Sequence, residues 1–437
     1  MTKSNKFMTI FRVVSGNFME MFDFMVYGYY ASYIGDAFFP SDDPTASLLK
    51  SFAAFGVGFM MRPLGAFVLG AYTDRMGRKK GLLLTLTIMA TGTLLLAITP
   101  DYAYIGVLAP IIVLLSRLLQ GFSAGAELGG TSVYLAEISN SSNRGFYVSW
   151  QSASQQVSVI FASGLGVLMH SFFSVDFIAS FGWRIPFFIG CLIVPILFYI
   201  RRSMTESKVF ENNKTRPSMR EVFQSIFSDY PAIVLGMMMV GMTTGTFYLI
   251  TAYMPTFGRV ELKLSDIDSL VITTCIGLSN FIWLPVMGAV SDRLGRKPIL
   301  IGATLATIVT AFPLMMWLAS NPSFGRLLSV GLWLSFVYGS YNGAMVVALT
   351  EVMPAAVRAT GFSLAYSLAT TIFGGFTPFI CTWLINVARR HLSEENRWMA
   401  DAMPGAWLTF IALLSIIAVV ILYQVRAHLA KAHKVDL

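Results

Sequence analysis

The stretch Gly70-Ala71-Tyr72-Thr73-Asp74-Arg75-Met76-Gly77-Arg78-Lys79 returns 218 positions on as Gly288-Ala289-Val290-Ser291-Asp292-Arg293-Leu294-Gly295-Arg296-Lys297 (292 against 74). Both copies lie between long apolar runs. One constant offset, close to half the chain length, marks an internal duplication. The fold must therefore be built from two related halves. Each copy reads as a tight turn, with Gly77 and Gly295 supplying backbone freedom where a short loop reverses. The Arg and Lys residues cannot enter hydrocarbon and hold the turn in water. Asp74 and Asp292 can accept hydrogen bonds from a neighbouring helix N-terminus or pair with an Arg. A second pair, Glu137 with Arg144 and Glu351 with Arg358, repeats at an offset of 214 (351 against 137). We expect Asp74, Arg75, Arg78, Glu137, Arg144, Asp292, Arg293, Arg296, Glu351 and Arg358 to form cytoplasmic ion-pair clusters that latch the halves together.

The runs between these loops read as membrane spans. The chain is 55% hydrophobic and 12% charged, whereas a soluble domain is typically about 25% charged. A helical span takes roughly 20 apolar residues, so 437 residues leave room for twelve with short loops. The spans are expected near 13–38, 46–73, 81–99, 104–137, 144–170, 183–201, 230–257, 267–291, 298–319, 326–352, 358–387 and 404–426. The expected fold is all-α: a polytopic membrane protein with twelve transmembrane helices in two pseudo-symmetric six-helix halves, 1–202 and 230–437. The polar stretch 203–229 joins them as a central loop. Within it Ser218-Met219-Arg220-Glu221 reads as a capping box, which predicts a short helix at the membrane surface.

Charge sets the orientation. The N-terminus, the loops at 74–80 and 292–297, the central loop and the C-terminal tail hold most of the 31 Lys and Arg residues. The opposite side holds Lys50, Arg184, Arg259, Lys263, Arg326, Arg389, Arg390 and Arg397. This bias places both termini and the central loop in the cytoplasm, with the protein multi-pass in the cytoplasmic (inner) membrane. The first apolar run carries Glu20 and Asp23 and lacks a small-residue cleavage site, so it reads as a mature span rather than a signal peptide. The net charge of +8 follows from this topology, and no nucleic-acid partner is expected. Cys191, Cys275 and Cys381 lie far apart in apolar segments, and the four histidines sit at span ends or tails. No metal, disulfide framework or cofactor is expected.

Charges inside spans cost roughly 2.5–3.5 kcal/mol each on insertion scales, so they face a cavity or a partner. The first span carries Asn17, Glu20, Asp23, Tyr27 and Tyr30, spaced to fall on one stripe of a helix. The second carries Arg62-Pro63, and the fourth Arg117 and Gln120 before Gly121, Gly125 and Gly129. Those glycines let a neighbouring backbone approach closely. Arg117 lies about 20 Å along a helix from Tyr104, near mid-membrane. Polar residues also fall on one face of other spans: Gln151 and Gln155; Thr244, Tyr248 and Thr251; Tyr338, Tyr341 and Asn342; Ser363, Ser367 and Thr370. At the 218 offset Arg62 maps to Asn280, Tyr30 to Tyr248, Asp23 to Gly241 and Arg117 to Ser335. The charged set belongs to the N-terminal half alone.

Several of these stretches are similar to one known family. Arg62-Pro63-Leu64-Gly65 leading into the 70–80 loop resembles the metabolite–proton symporter family of the major facilitator superfamily. So does the stretch from Arg117 through Gln120, Gly121, Gly125 and Glu127 to Gly130. Ser149-Trp150-Gln151-Ser152-Ala153-Ser154-Gln155-Gln156 and Tyr341-Asn342-Gly343-Ala344-Met345 resemble its citrate and tricarballylate branch. The resemblance covers nearly the whole chain. It implies a twelve-helix fold in two pseudo-symmetric halves and alternating access to a central site. The chain is expected to be a monomer among membrane lipid.

On that basis the chain is expected to import citrate or a related tricarboxylate with protons. A dicarboxylate such as 2-oxoglutarate, or another small metabolite, is the alternative cargo. A multi-carboxylate needs fixed cation, and Arg117 offers a bidentate fork, with Arg62 bracing Pro63 and the loop below. Asn17, Tyr30, Gln151, Gln155, Tyr248, Asn280, Tyr341 and Asn342 are expected to satisfy the remaining oxygens. Asp23 or Glu20 is expected to carry the proton. An enzyme is not expected, because no His sits mid-span beside a nucleophile. The duplicated loops and asymmetric charge also argue against a passive channel or sensor.

Overall fold

A computed structural model describes residues 17–435, apart from 77, 126–130, 133–134, 137–138, 141, 203–229 and 353–357. Its described residues are helical throughout, without strands. The helices follow the twelve expected spans. In the first half they are α1 (Asn17–Tyr29, continued by Ala31–Phe38), α2 (Pro44–Met60, continued by Arg62–Met76), α3 (Arg78–Ile98), α4 (Leu108–Ala124), α5 (Arg144–Phe172) and α6 (Ile185–Arg202). In the second they are α7 (Tyr230–Tyr248, then Leu249–Tyr253 and Met254–Val260), α8 (Asp266–Leu294), α9 (Arg296–Ser320), α10 (Phe324–Val352), α11 (Arg358–Ala369, then Thr370–Gly375 and Thr377–His391) and α12 (Met403–Val435). Among the described residues, nine helices are long and apolar enough to cross a membrane. The apolar stretches Leu83–Ile98 and Leu108–Ala124 are shorter. α1 is interrupted at Tyr30 and carries Glu20 and Asp23.

Local chemistry explains the ends and breaks. Asp43 caps α2 by accepting from the Thr45 N–H at 2.9 Å, with Pro44 at the first helical position. Ser265 caps α8 in the same way, accepting from the Asp268 N–H at 3.0 Å. α2 breaks at Met61, just before Arg62-Pro63, where proline withholds an N–H from the ladder. α7 and α11 each contain a π turn, Leu249–Tyr253 and Thr370–Gly375, just ahead of Pro255 and Pro378. Widening the helix relieves the clash that proline makes one turn back. The expected span 104–137 starts later, because Gly106 takes φ +58° and separates a short turn from α4. Arg117 therefore lies about 14 Å into its helix.

Glycine sets two tight helix crossings. A Cβ on Gly121 would lie 1.6 Å from the Gly58 carbonyl oxygen, and one on Gly125 would lie 2.0 Å from that of Arg62. α2 and α4 thus touch backbone to backbone, as the glycine spacing in α4 predicts. Between the halves, a Cβ on Gly145 of α5 would lie 2.4 Å from the Gly288 carbonyl oxygen of α8. Gly77, Glu127, Gly129 and the 218–221 capping box lie outside the described residues.

Candidate functional site

Two acid–guanidinium couples hang from α1. Glu20 and Asp23 are nearly one turn apart and both buried. Glu20 pairs directly with Arg62 of α2. Among the described residues, Asp23 has no direct arginine partner. Its Oδ2 accepts from the Thr93 hydroxyl of α3 and from Gln120 Nε2 of α4, the latter at 3.3 Å. Gln120 in turn accepts through Oε1 from Arg117 Nη1. The second couple is therefore bridged: Asp23, Gln120, Arg117.

Aromatic rings hold both cations. Arg117 Cζ lies 4.5 Å from the Tyr27 ring centroid, 4.7 Å from Phe24 and 5.3 Å from Phe55. Arg62 Cζ lies 5.3 Å from Phe59 and 5.8 Å from Phe24. Cation–π contacts of this kind offset part of the lost hydration, about 2 kcal/mol each when desolvated.

A small cavity lies between the halves. Met21, Arg62 and Gln155 line it from the first half. Thr243, Thr244, Phe247, Tyr248, Tyr338, Tyr366 and Thr370 line it from the second. It has room for the centre of one water molecule, about 10 Å³. A tricarboxylate enters only if the helices move apart. Several buried nitrogens in the first half lack a hydrogen-bond partner: Arg62 Nη1, Arg117 Nε and Nη2, Gln155 Nε2, Gln151 Nε2 and Asn17 Nδ2. Each unmade bond costs about 1–3 kcal/mol. The surplus is of donors, which is what carboxylate oxygens satisfy.

The expected site residues divide. Gln155 and Tyr248 line the cavity, and Asn342 donates to the hydroxyl of the lining Tyr338 at 3.4 Å. Asn17 and Gln151 are buried with free amide donors. Arg117 is absent from the lining and Arg62 takes its place, because the α2–α4 crossing turns Arg117 into the aromatic rings. Tyr30 lies where α1 breaks and stacks on His170 at 6.0 Å. Asn280 is tied up between helices, donating to Gln156 Oε1 at 3.0 Å and accepting from Ser335 at 2.7 Å. Tyr341 donates to the Met239 carbonyl at 2.7 Å, with Ser415 at 2.5 Å. These last two already have helix-packing partners. Met21, Thr93, Thr243, Phe247 and Tyr366 carry no distinguishing signal in the sequence. Each is one ordinary residue in an apolar run until tertiary packing aims it.

The two halves touch at both ends of the helix bundle. At one end Asp292 of α8 accepts from the Gly145 and Phe146 N–H groups at the start of α5, at 2.8 and 3.0 Å. Arg296 holds Asp292 at 2.7 Å, and Glu351 stands 3.7 Å from both Arg296 and Arg144. Arg293 is exposed. Gly295 takes φ +89°, the conformation that the repeated turn requires. Asp74, Arg75, Arg78, Glu137 and Arg358 lie outside the residues whose side chains are described. At the other end Arg259 reaches Ser32 of α1 and lies 3.3 Å from Asp266, which stands 3.8 Å from His170 of α5. Thr256 of α7 donates to the Gly28 carbonyl of α1 at 2.9 Å.

Comparison with known proteins agrees with this architecture. Residues 13–378 match the family model described as Major Facilitator Superfamily. The chain is 53% identical over 422 residues to a citrate-proton symporter of Salmonella typhi, covering 97% of this chain and 95% of that protein. It is 53% identical over 415 residues to a citrate-proton symporter of Klebsiella pneumoniae, covering 95% and 91%. Its fold is similar to the crystal structure of a D-xylose-proton symporter, with TM-score 0.75, 17% identity and coverage of 94% and 97%.

Proposed function

This chain belongs to the Major Facilitator Superfamily, and we propose that it is a proton-coupled importer of citrate or a closely related tricarboxylate, working by alternating access. The observation that carries the reading is the set of buried, unpartnered donors around Arg62 and Gln155, beside a cavity lined by both halves. The relatives named as citrate-proton symporters support the cargo. Arg62 is the first cation that a carboxylate in the cavity meets. Gln155, Tyr248 and Tyr338 offer further donors. Asp23 carries the proton in preference to Glu20. Glu20 is engaged directly by Arg62, whereas Asp23 can gain or lose a proton without first breaking an ion pair. Closing the Asp292 end and opening the Arg259 end, then the reverse, exposes the site to each side in turn. The charge bias supports the Asp292 end as cytoplasmic, together with both termini and the 203–229 loop. One chain holds both halves and the cavity, which supports a monomer in the inner membrane.

The test is uptake of labelled citrate into proteoliposomes under an imposed pH gradient, with unlabelled acids as competitors. Accumulation is expected only with the gradient. Tricarballylate should compete strongly and 2-oxoglutarate weakly. Gradient-independent uptake would end the proton coupling. Competition by 2-oxoglutarate without competition by tricarballylate would replace the cargo with a dicarboxylate.

A further inference from the structure

The two couples on α1 differ in one respect: Glu20 touches its arginine and Asp23 does not. Gln120 is the difference. Its amide nitrogen donates to Asp23 Oδ2 and lies equally close, 3.3 Å, to the Thr93 hydroxyl oxygen, while its carbonyl oxygen accepts from Arg117. A neutral side chain thus occupies the place where the guanidinium would otherwise close on the carboxylate. Asp23 Oδ1 has no hydrogen-bond partner, so one oxygen is open to a proton. Among the described residues, the charged or titratable groups that interact electrostatically with Asp23 from other helices are Arg117 of α4 and the Cys191 thiol of α6, and Glu20 lies nearly one turn away on α1 itself. α3 adds only the neutral Thr93. Gln120 is also held from outside the couple. A Cβ on Gly92 of α3 would lie 2.8 Å from Gln120 Cγ, and the Ser116 hydroxyl ties α4 to the Gly92 carbonyl at 2.7 Å.

We propose that Gln120 is a positioning residue for proton coupling: a neutral spacer that keeps Arg117 from pairing with Asp23, so that the carboxyl can exchange a proton during each cycle. The step is the making and breaking of one O–H bond at Asp23; the carboxyl is fully buried here, so water reaches it as proton donor and acceptor only when the helices around it part. The inference rests on the reading of Asp23 as the proton carrier. Without the spacer the guanidinium can reach the carboxylate directly, and a close opposite charge favours the charged form. Proton loading then demands a more acidic medium.

The test compares wild type, Gln120→Ala, Gly92→Ala and Asp23→Asn in proteoliposomes. Two readouts are taken across pH: citrate counterflow, which needs no net proton movement, and accumulation driven by a pH gradient. Gln120→Ala removes the spacer, and the pH of half-maximal accumulation should move about one pH unit toward acid, as expected for a new close charge partner. Counterflow should fall less than accumulation. Gly92→Ala touches no charge but pushes both Gln120 Cγ and the Ser116 carbonyl of α4, at 2.8 and 2.9 Å, and should move the profile the same way by less. A wild-type pH profile in Gln120→Ala, or an equal fall in both readouts, overturns the inference. Asp23→Asn separates the two readings. If it still accumulates citrate, Asp23 is not the carrier. If it does not, and Gln120→Ala keeps the wild-type profile, only the role of Gln120 fails.

Discussion

Arg62 shows how much a single side chain's direction decides. It lines the cavity, pairs with Glu20 and keeps Nη1 unpartnered. A lysine there keeps the charge but presents a point where a carboxylate takes a planar fork. Arg62→Lys is expected to weaken citrate binding roughly ten- to hundredfold, the loss of one charge-assisted hydrogen bond of about 1.5–3 kcal/mol. Arg117→Lys should weaken binding less and gradient-driven uptake more, because Arg117 reaches Gln120 rather than the cavity. Calorimetric titration of both variants in detergent at one pH decides between them. Binding kept in Arg62→Lys and lost in Arg117→Lys would return the anion to Arg117. That both arginines matter is legible in the sequence, because a cation in an apolar run needs a reason. Which of them faces the cavity is not. It depends on how α2 and α4 are rotated about their crossing, and the contacts of Gly58, Gly121 and Gly125 set that rotation.

Helix ends carry the proposed latch. Asp292 receives two N–H groups from the first turn of α5, a site where a partly buried anion is worth up to about 2 kcal/mol. Asp292→Asn removes the charge and is expected to raise the population open at that end by roughly five- to thirtyfold, from a loss of about 1–2 kcal/mol. The readout is the alkylation rate of a cysteine at Thr243, in a background lacking the native cysteines. An unchanged rate would remove Asp292 from the latch. Glu351→Gln should change the rate less, since its contacts at 3.7 Å are partly exposed and such pairs contribute about 0–1 kcal/mol. The repeat of Asp-Arg-x-Gly-Arg makes this element readable in the sequence, because a duplicated loop marks duplicated mechanics. The π turns in α7 and α11 are less readable. Pro255 and Pro378 mark their neighbourhood in the sequence, yet whether a helix kinks or widens there depends on what packs against it.

For the whole molecule, hydropathy makes the twelve helices legible and leaves their faces unassigned. Orientation has a direct measurement. Lys50→Cys and Arg293→Cys place exposed thiols at opposite ends of the bundle. Lys50→Cys is expected to react with an impermeant maleimide on intact cells, and Arg293→Cys only after permeabilisation. The opposite pattern would invert the topology. The cavity itself is built unequally. The first half gives the lining its charge through Arg62, with Glu20, Asp23 and Arg117 of the same half buried outside the lining, whereas the second lines the cavity with threonines, tyrosines and a phenylalanine. Shape and charge are thereby separable. Substitution of Thr243, Thr244, Phe247 or Tyr366 by other neutral residues alters the outline of the cavity and leaves its charge, carried by Arg62, in place.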